Sequence, residues 1–485
     1  MSDRRDFLKL VGTATAGAFA ASALPGVAAT PTSPRFVSKR PPPSQRRLAS
    51  PAVERELARV KAKIGDPKLA WLFENCYPNT LDTTIHTRTL DGKPDTFIVT
   101  GDIDAMWLRD SSAQVWPYLS LAAHDEALRR LYRGLIHRHA RCIAIDPYAN
   151  AFMADPHART TLTWAQHDDT DMKPGVAERK WEIDSLCWTI RLAHGYWKAT
   201  GDRAPFDDDW RAAMRLVLAT FRMQQRKHGR GPYHFQRAAA SPTDTLALGG
   251  YGWPAKPVGL IHSMFRPSDD ACKYPLFVPG NAFAVVSLRQ LAAMTRKLFV
   301  DVAFARDCEA LAGEVQIALE KYALMHDAQG RAFWAYEVDG YGNQLFMDDA
   351  NVPGLLGLPY LGCCDRDDAR YRTTRALAWS DRNPYFFSGK AAQGIGGPHE
   401  GLRMIWPMSI MIRALTSDDA DEIRQCLHWL ASTDAGTGFM HEAFDQDDPT
   451  HFTRAWFAWA NSLFGEMIVD LAARHPALLR GHTGL

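Results

Sequence analysis

The sequence predicts an all-α protein, a toroid of paired helices closed into a barrel. Three observations carry that prediction. Roughly a dozen segments repeat apolar residues at three- and four-residue spacing, the period of a helix with a buried face. Strand-like alternation is confined to patches such as "DTFIVTGDI" and "AFWAYEVDGYG". No short internal repeat is visible, which disfavours a TPR or HEAT solenoid.

The helical segments run in order through "VERELARVKAKI", "ALRRLYRGLIHRHARCIA", "SLCWTIRLAHGYWKATG", "WRAAMRLVLATFRMQQRKHG", "GNAFAVVSLRQLAAMTRKLF" and "CEALAGEVQIALEKYALM". After them come "GLRMIWPMSIMIRALTS", "ADEIRQCLHWLAS" and "TRAWFAWANSLFGEMIVDLAARH". Several end at Gly or "TGD", where a chain leaves a helix easily. No interior stretch has the composition of a linker, so residues 51–485 are expected to form one domain.

The first 29 residues, "MSDRRDFLKLVGTATAGAFAASALPGVAA", stand apart. Arg4-Arg5 precedes Phe7-Leu8-Lys9, then a mild apolar run and small residues at Val27-Ala28-Ala29. This resembles a twin-arginine export signal, and it implies an exported protein, in a bacterial periplasm. Residues 30–50, rich in Pro, Ser and basic groups, are expected to be a flexible leader. No later stretch has the apolar length of a transmembrane helix, so no stable membrane association is expected.

The chain has 485 residues, 46% hydrophobic and 23% charged, the balance of a globular protein with a large core. Formal net charge is +1; three basic and two acidic groups within residues 1–29 account for all of it, leaving zero. A neutral chain argues against nucleic acid as a partner. The eight cysteines form no CxxC pair, which disfavours zinc. Buried free thiols are the favoured expectation. There is no dinucleotide fingerprint and no cluster-type cysteine spacing, so a redox protein is disfavoured.

The unusual residues gather ahead of helices. In "TGDIDAMWLRDSSAQVWPYL", Asp102, Asp104, Arg109 and Asp110 surround Trp107. Adjacent Arg and Asp offer donors and acceptors suited to neighbouring hydroxyls; helix capping by Asp110 or Ser111 is the plainer alternative. In "KWEIDSLCW", Glu182 and Asp184 lead an apolar helix, and capping is the favoured reading. In "FRPSDDACKYPLFVPGN", Asp269 and Asp270 follow Arg266. "GFMHEAFDQDDPTHFTRAWFAWANSLF" combines His441, Glu442, Asp445, Asp447 and Asp448 with a crowd of rings. A solvated loop explains the acids alone and a core helix the rings alone. A sugar pocket explains both, since sugars have polar edges and apolar faces. Separate carboxylates at such loops suit the acid and base of glycoside hydrolysis. No EF-hand loop or ligand-spaced His/Cys cluster is present, so no metal or other cofactor is expected.

Together, "GDIDAMWLRDSSAQVWPYL", "EIDSLCW", "RPSDDA" and "HEAFDQDDPTHFTRAWFAWANSLF" resemble glycoside hydrolase family 125, the exo-acting α-1,6-mannosidases. The resemblance runs from about residue 55 to about 475. It implies an (α/α)6 barrel, an inverting mechanism and no metal. Its substrates would be mannose-containing oligosaccharides or N-glycan fragments. By motif position, Glu442 matches the general base, and the general acid is Asp269 or Asp270. Arg109 and Asp110 match the positions that hold the terminal sugar. Asp102, Asp104, Trp107, Arg266, His441 and His399 are further candidates for the substrate site, with Glu400 beside His399 in "GKAAQGIGGPHEGLRMIWP". The rival readings are an exo-α-glucosidase of the glucoamylase-like barrel type and a non-catalytic glycan-binding protein.

The leader reading gives a first prediction. Changing Arg4→Lys together with Arg5→Lys is expected to leave the protein in the cytoplasm. Fractionation that still recovers the double variant from the periplasm would remove the export argument.

Overall fold

The computed structural model of the chain describes residues 36–481, so the twin-arginine segment lies outside the described residues. The helices form two sets that differ in how they are buried. Leu108–Val115, Ile183–Thr200, Val278–Leu298, Pro407–Leu415 and Ala458–Arg474 are buried around most of their circumference. Ile183–Thr200, for example, is buried without a break from Ile183 to Ala193. A helix apolar on every side can be stable only with neighbours on every side. Glu126–Ile145, Asp208–Gln224, Val302–Tyr322 and Ala420–Ser432 bury one stripe and expose the other. They are the outer set.

The inner helices pack in sequence around a common centre. Leu108–Val115 lies between Ile183–Thr200 and Ala458–Arg474; the former continues to Val278–Leu298 and the latter to Pro407–Leu415. A buried irregular segment fills the remaining gap. Val352 O accepts from Trp188 Nε1 at 3.3 Å, and Asn351 to Gly357 lie against Ser409 and Ile412. Asp348 fixes that segment by accepting from Leu355 N at 2.7 Å and Leu356 N at 2.8 Å.

The two sets also start differently. Each outer helix is capped by an Asp: Asp125, Asp207, Asp301 and Asp419 accept backbone N–H bonds from the first turn. The inner helices begin after Trp107, Glu182, Phe277, Trp406 and Phe457, with no side-chain cap bond. Their leading residues are thereby left for another purpose.

The all-α expectation is corrected in one respect. Fifteen short strands form six small sheets among the described residues. The longest is the hairpin Ile85–Leu90 with Lys93–Ile98, in register from Ile85↔Ile98 to Leu90↔Lys93. The others are two or three residues long. Their origin is the need of buried loops to satisfy backbone N–H and C=O groups. Met106–Trp107 pairs with Ala151–Phe152, which pairs with Val176–Glu178. Met404–Ile405 pairs with Ala443–Asp445, which pairs with Phe452–Thr453. These ladders fix the loops that enter the inner helices.

Part of the expected leader is held on the surface of the domain. Phe36 lies 5.2 Å from the Trp71 ring, and Val37 O accepts from Trp71 Nε1 at 2.6 Å. Arg40 pairs with both Glu54 and Asp82. The apolar Phe36 and the Arg40 fork supply contacts that a Pro/Ser-rich composition conceals. All eight cysteines are unpaired, and six are buried. No described helix is long and apolar enough to cross a membrane.

Gly134 sets the approach of Glu126–Ile145 to the hairpin. A Cβ there would stand 2.9 Å from Thr96 N and collide with the Thr96 hydroxyl. Gly134→Ala is therefore expected to destabilise the protein by about 1–3 kcal/mol through overpacking, although Ala is the better helix former. An unchanged or higher urea midpoint would show that the helix can shift outward freely.

Candidate active site

The N-termini of three inner helices converge on one pocket. Trp107, Arg109 and Asp110 enter it from the start of Leu108–Val115, Trp406 from the start of Pro407–Leu415, and Phe457 and Trp459 from the start of Ala458–Arg474. Ser268, Asp269, Asn351, His399, Glu442 and Arg454 complete it from loops. Trp107 Nε1 and Trp406 Nε1 are buried without a hydrogen-bond partner in the protein. Such donors are costly unless a ligand satisfies them.

Arg109 is the centre of the charged network. Its Nη1 donates to Glu182 at 2.5 Å and to Asp184 at 3.3 Å, while Nε stands 3.7 Å from Asp110 and Nη2 3.8 Å from Asp269. Burial opposes its charge, but these carboxylates outweigh burial and hold it firmly protonated. Four acids share one guanidinium, so they cannot all be equally stabilised. Burial pushes Asp110 and Asp184 up to about 6, with Arg109 offsetting only part of the cost. Burial likewise drives Glu182 well above the usual range, helped by the charges of Asp269 and Asp184. Asp269 goes the other way. Burial disfavours its charge, but Lys180, a hydrogen bond from Glu182, Arg109 and His399 hold it below the usual range.

The local chain explains why Asp269 and Asp270 part company. The Arg266–Asp270 turn is closed by Arg266 N donating to Asp270 O at 2.8 Å and by Asp269 N donating to Arg266 O at 2.9 Å. Asp269 has φ +67°, a left-handed conformation uncommon for a side-chain-bearing residue. Lys180 Nζ holds its carbonyl at 2.7 Å, and Asn150 Nδ2 donates to its carboxylate at 3.1 Å. The carboxylate of Asp269 thus faces the pocket, with 14% of the side chain exposed. Asp270 is turned behind the wall, accepting from Ser268 Oγ at 3.1 Å and lying 3.9 Å from His399.

Glu442 stands across the pocket in the loop ahead of Ala443–Asp445. Arg454 Nη1 donates to it at 3.2 Å, and Arg454 Nη2 pairs with Asp102 and donates to Thr100 O at 3.1 Å. Arg454 also has positive φ, +46°, and its guanidinium stacks 4.7 Å over Phe457. His399, Glu400 and Glu442 bring ligand-type atoms within 4.8 Å of one another, the group among the described residues that could hold an ion.

The structure brings Trp107, Arg109, Asp110, Asp269, His399 and Glu442 into one pocket. Besides Asp270, it places four other candidates outside the pocket lining. Asp104 is exposed, outside the pocket lining. Asp102 sits at the rim, partnering Arg454. Arg266 lies behind the wall, donating to Glu337 at 2.6 Å. His441 is buried, stacked 3.9 Å from the Phe452 ring, with Nδ1 3.2 Å from Arg454 O. The capping readings are overturned: Asp110 lies inside its helix, and Glu182 occupies the N-cap position but makes no cap bond. Arg454, Asn351, Asn150 and Lys180 were not singled out from the sequence. Arg454 lay within the aromatic motif and Lys180 at the head of "KWEIDSLCW", whereas nothing local marks the two asparagines.

Carboxylates from separate loops, a guanidinium among acids and rings on several sides define a site for a sugar, of the kind glycoside-cleaving enzymes use. Comparison with known proteins makes this specific. Residues 66–469 match the metal-independent alpha-mannosidase family, glycoside hydrolase family 125, and the chain belongs to that family. It is 43% identical over 464 residues to the meiotically up-regulated gene 157 protein of Schizosaccharomyces pombe, covering 92% of this chain and 90% of that one. It is also similar to a metal-independent alpha mannosidase of Streptococcus pneumoniae, solved in a non-productive complex with alpha-1,6-mannobiose. That match has a TM-score of 0.83 and 41% identity, over 87% of this chain and 99% of the other.

Asp110 allows function and stability to be separated. Its pKa is raised on folding, so its contribution to stability is full below the ordinary carboxylate value and is lost as pH rises through about 6. Asn cannot ionise. The melting temperature of Asp110→Asn relative to the natural protein is therefore expected to climb between pH 4 and pH 7, while kcat/KM falls about tenfold or more through a lost charged hydrogen bond. A melting difference independent of pH would show that Asp110 is not ionising at a buried site.

Proposed function

We propose that the protein is an exo-acting α-1,6-mannosidase that inverts configuration, built on an (α/α)6 barrel. One observation carries the catalytic assignment: Asp269 and Glu442, from separate loops, line the same pocket as Arg109 and Asp110. The five inner helices with their amphipathic partners support the barrel reading. Family membership and the mannobiose bound by the pneumococcal relative support the linkage. Exo action and inversion rest on the family resemblance. The substrates would be mannose-containing oligosaccharides such as N-glycan fragments, met after export by the twin-arginine route.

In this mechanism Glu442, oriented by Arg454, takes a proton from water as the water oxygen bonds to the anomeric carbon. Asp269 donates a proton to the glycosidic oxygen as the C–O bond breaks. Asp269 is preferred to Asp270 because only its carboxylate faces the pocket. Arg109 and Asp110 grip the terminal sugar through adjacent hydroxyls. Trp107, Trp406, Phe457 and Trp459 supply apolar walls for its faces, and the indole N–H groups of Trp107 and Trp406 have no acceptor within the protein.

Proton NMR of the first-formed sugar is expected to show β-mannose from an α-linked substrate; first-formed α-mannose would refute inversion. Glu442→Gln should lose activity on every substrate. Asp269→Asn should lose about 10²–10⁴-fold on mannobiose but keep much of its rate on an activated aryl mannoside. If Asp270→Asn behaved in that way instead, the acid would have to be reassigned.

A further inference from the structure

Glu182 and Asp184, the two acids on Arg109 Nη1, are both fully buried. Glu182 stands at the head of Ile183–Thr200, leaves the N-cap role unfilled, and shares two partners with Asp269. Arg109 Nη1 donates to Glu182 at 2.5 Å while Nη2 lies 3.8 Å from Asp269. Asn150 Nδ2 donates to Asp269 at 3.1 Å and reaches Glu182 at 3.5 Å. The two carboxyl groups therefore lie side by side, within reach of the same guanidinium and the same amide. Adjacent carboxyl groups that share one cation do not both ionise readily, so one of them tends to keep a proton.

The proton's place follows from the surroundings. Asp269 faces Lys180, Arg109 and His399. Glu182 faces Arg109 and the acids Asp184 and Asp269, with Asp110 beyond the guanidinium. Ser185 Oγ donates to it at 2.8 Å, Asn150 links it to Glu178 at 3.1 Å, and the buried Tyr233 phenol is also nearby. More positive charge surrounds Asp269, so its carboxylate is the one left ionised. A general acid held ionised must be supplied with a proton before it can act, and Glu182 is the carboxyl group beside it.

We propose that Glu182 is a positioning residue that stores the proton for Asp269 and passes it on during turnover. This rests on the reading of Asp269 as the general acid. The Glu182 O–H proton moves to the Asp269 carboxylate, and Asp269 passes it to the glycosidic oxygen. The anomeric C–O bond breaks with its electron pair going to that oxygen. Water bonds to the anomeric carbon and gives its proton to Glu442. The products are mannose and the shortened alcohol; Glu182 is left as a carboxylate beside Arg109, Glu442 is protonated, and exchange with solvent restores both.

The test compares Glu182→Gln with Asp269→Asn on α-1,6-mannobiose and on an aryl α-mannoside with an activated leaving group. Glu182→Gln is expected to lose ~10²-fold on mannobiose, as for a missing acid, and to move the basic limb of its kcat/KM profile to lower pH. Its rate on the activated substrate should fall less than about threefold, because little protonation is needed there. Glu182→Asp, which keeps a carboxyl, should recover at least part of the mannobiose rate. Equal losses on both substrates with an unmoved basic limb would overturn the proposal and leave Glu182 as an anchor for Arg109. Were Glu182→Gln unable to fold, Glu182→Asp would decide alone: a shifted basic limb with the activated substrate spared supports storage, and parallel losses overturn it. Failure of the acid reading itself is recognised separately, because Asp269→Asn would then lose both substrates in parallel.

Discussion

The pairing of Arg109 with the carboxylates around it holds the site together. One guanidinium joins the first turn of Leu108–Val115 to the head of Ile183–Thr200 and to the Arg266–Asp270 turn. Its planar fork can meet several acceptors at fixed angles, which a lysine could not. The charge is buried, so removing a partner would cost about 3–5 kcal/mol rather than the small sum of a surface pair. Because the acids outnumber the cation, they are forced to differ. Asp269 is kept ionised while Glu182 is driven toward its neutral form, and that division comes from packing around a shared charge.

The two-layered packing of helices makes this arrangement possible. Inner helices wrapped in apolar neighbours start without side-chain caps, and the positive ends of their backbone dipoles point toward the acids. Outer helices carry ordinary Asp caps and a solvated stripe. The inner N-termini are then free to present Trp107, Arg109, Asp110, Trp406, Phe457 and Trp459 to a ligand. Short strand ladders at Met106–Trp107 and Met404–Ile405 fix the entrances of Leu108–Val115 and Pro407–Leu415.

Local signals conveyed much of the fold and about half of the site. The apolar spacing in "SLCWTIRLAHGYWKATG" predicts a helix with a buried face, and the structure buries Ile183 to Ala193 without a break, polar residues included. Trp107, Arg109 and Asp110 were legible because a helix head that mixes a ring with opposite charges is unusual. The capping reading of Glu182 failed because cap preference is a local rule, and a carboxylate at the N-cap position can be drawn away by a buried cation 73 positions distant in the chain. His441 and Arg266 looked equally reactive in sequence. Their partners, Phe452 and Glu337, turn them into wall and scaffold.

By itself the sequence determined the helical period, the approximate number of helices, the family, and which loops carry carboxylates beside rings. Those properties are written in residue type and spacing over one or two dozen positions. Only the tertiary structure decided which of two adjacent acids faces the pocket. Asp269 and Asp270 are chemically identical. The left-handed backbone at Asp269, held through its carbonyl by Lys180, sends one carboxylate toward Arg109 and the other toward Ser268 and His399. No spacing rule encodes that choice, because it depends on a lysine, an asparagine and an arginine brought together from three distant stretches of chain.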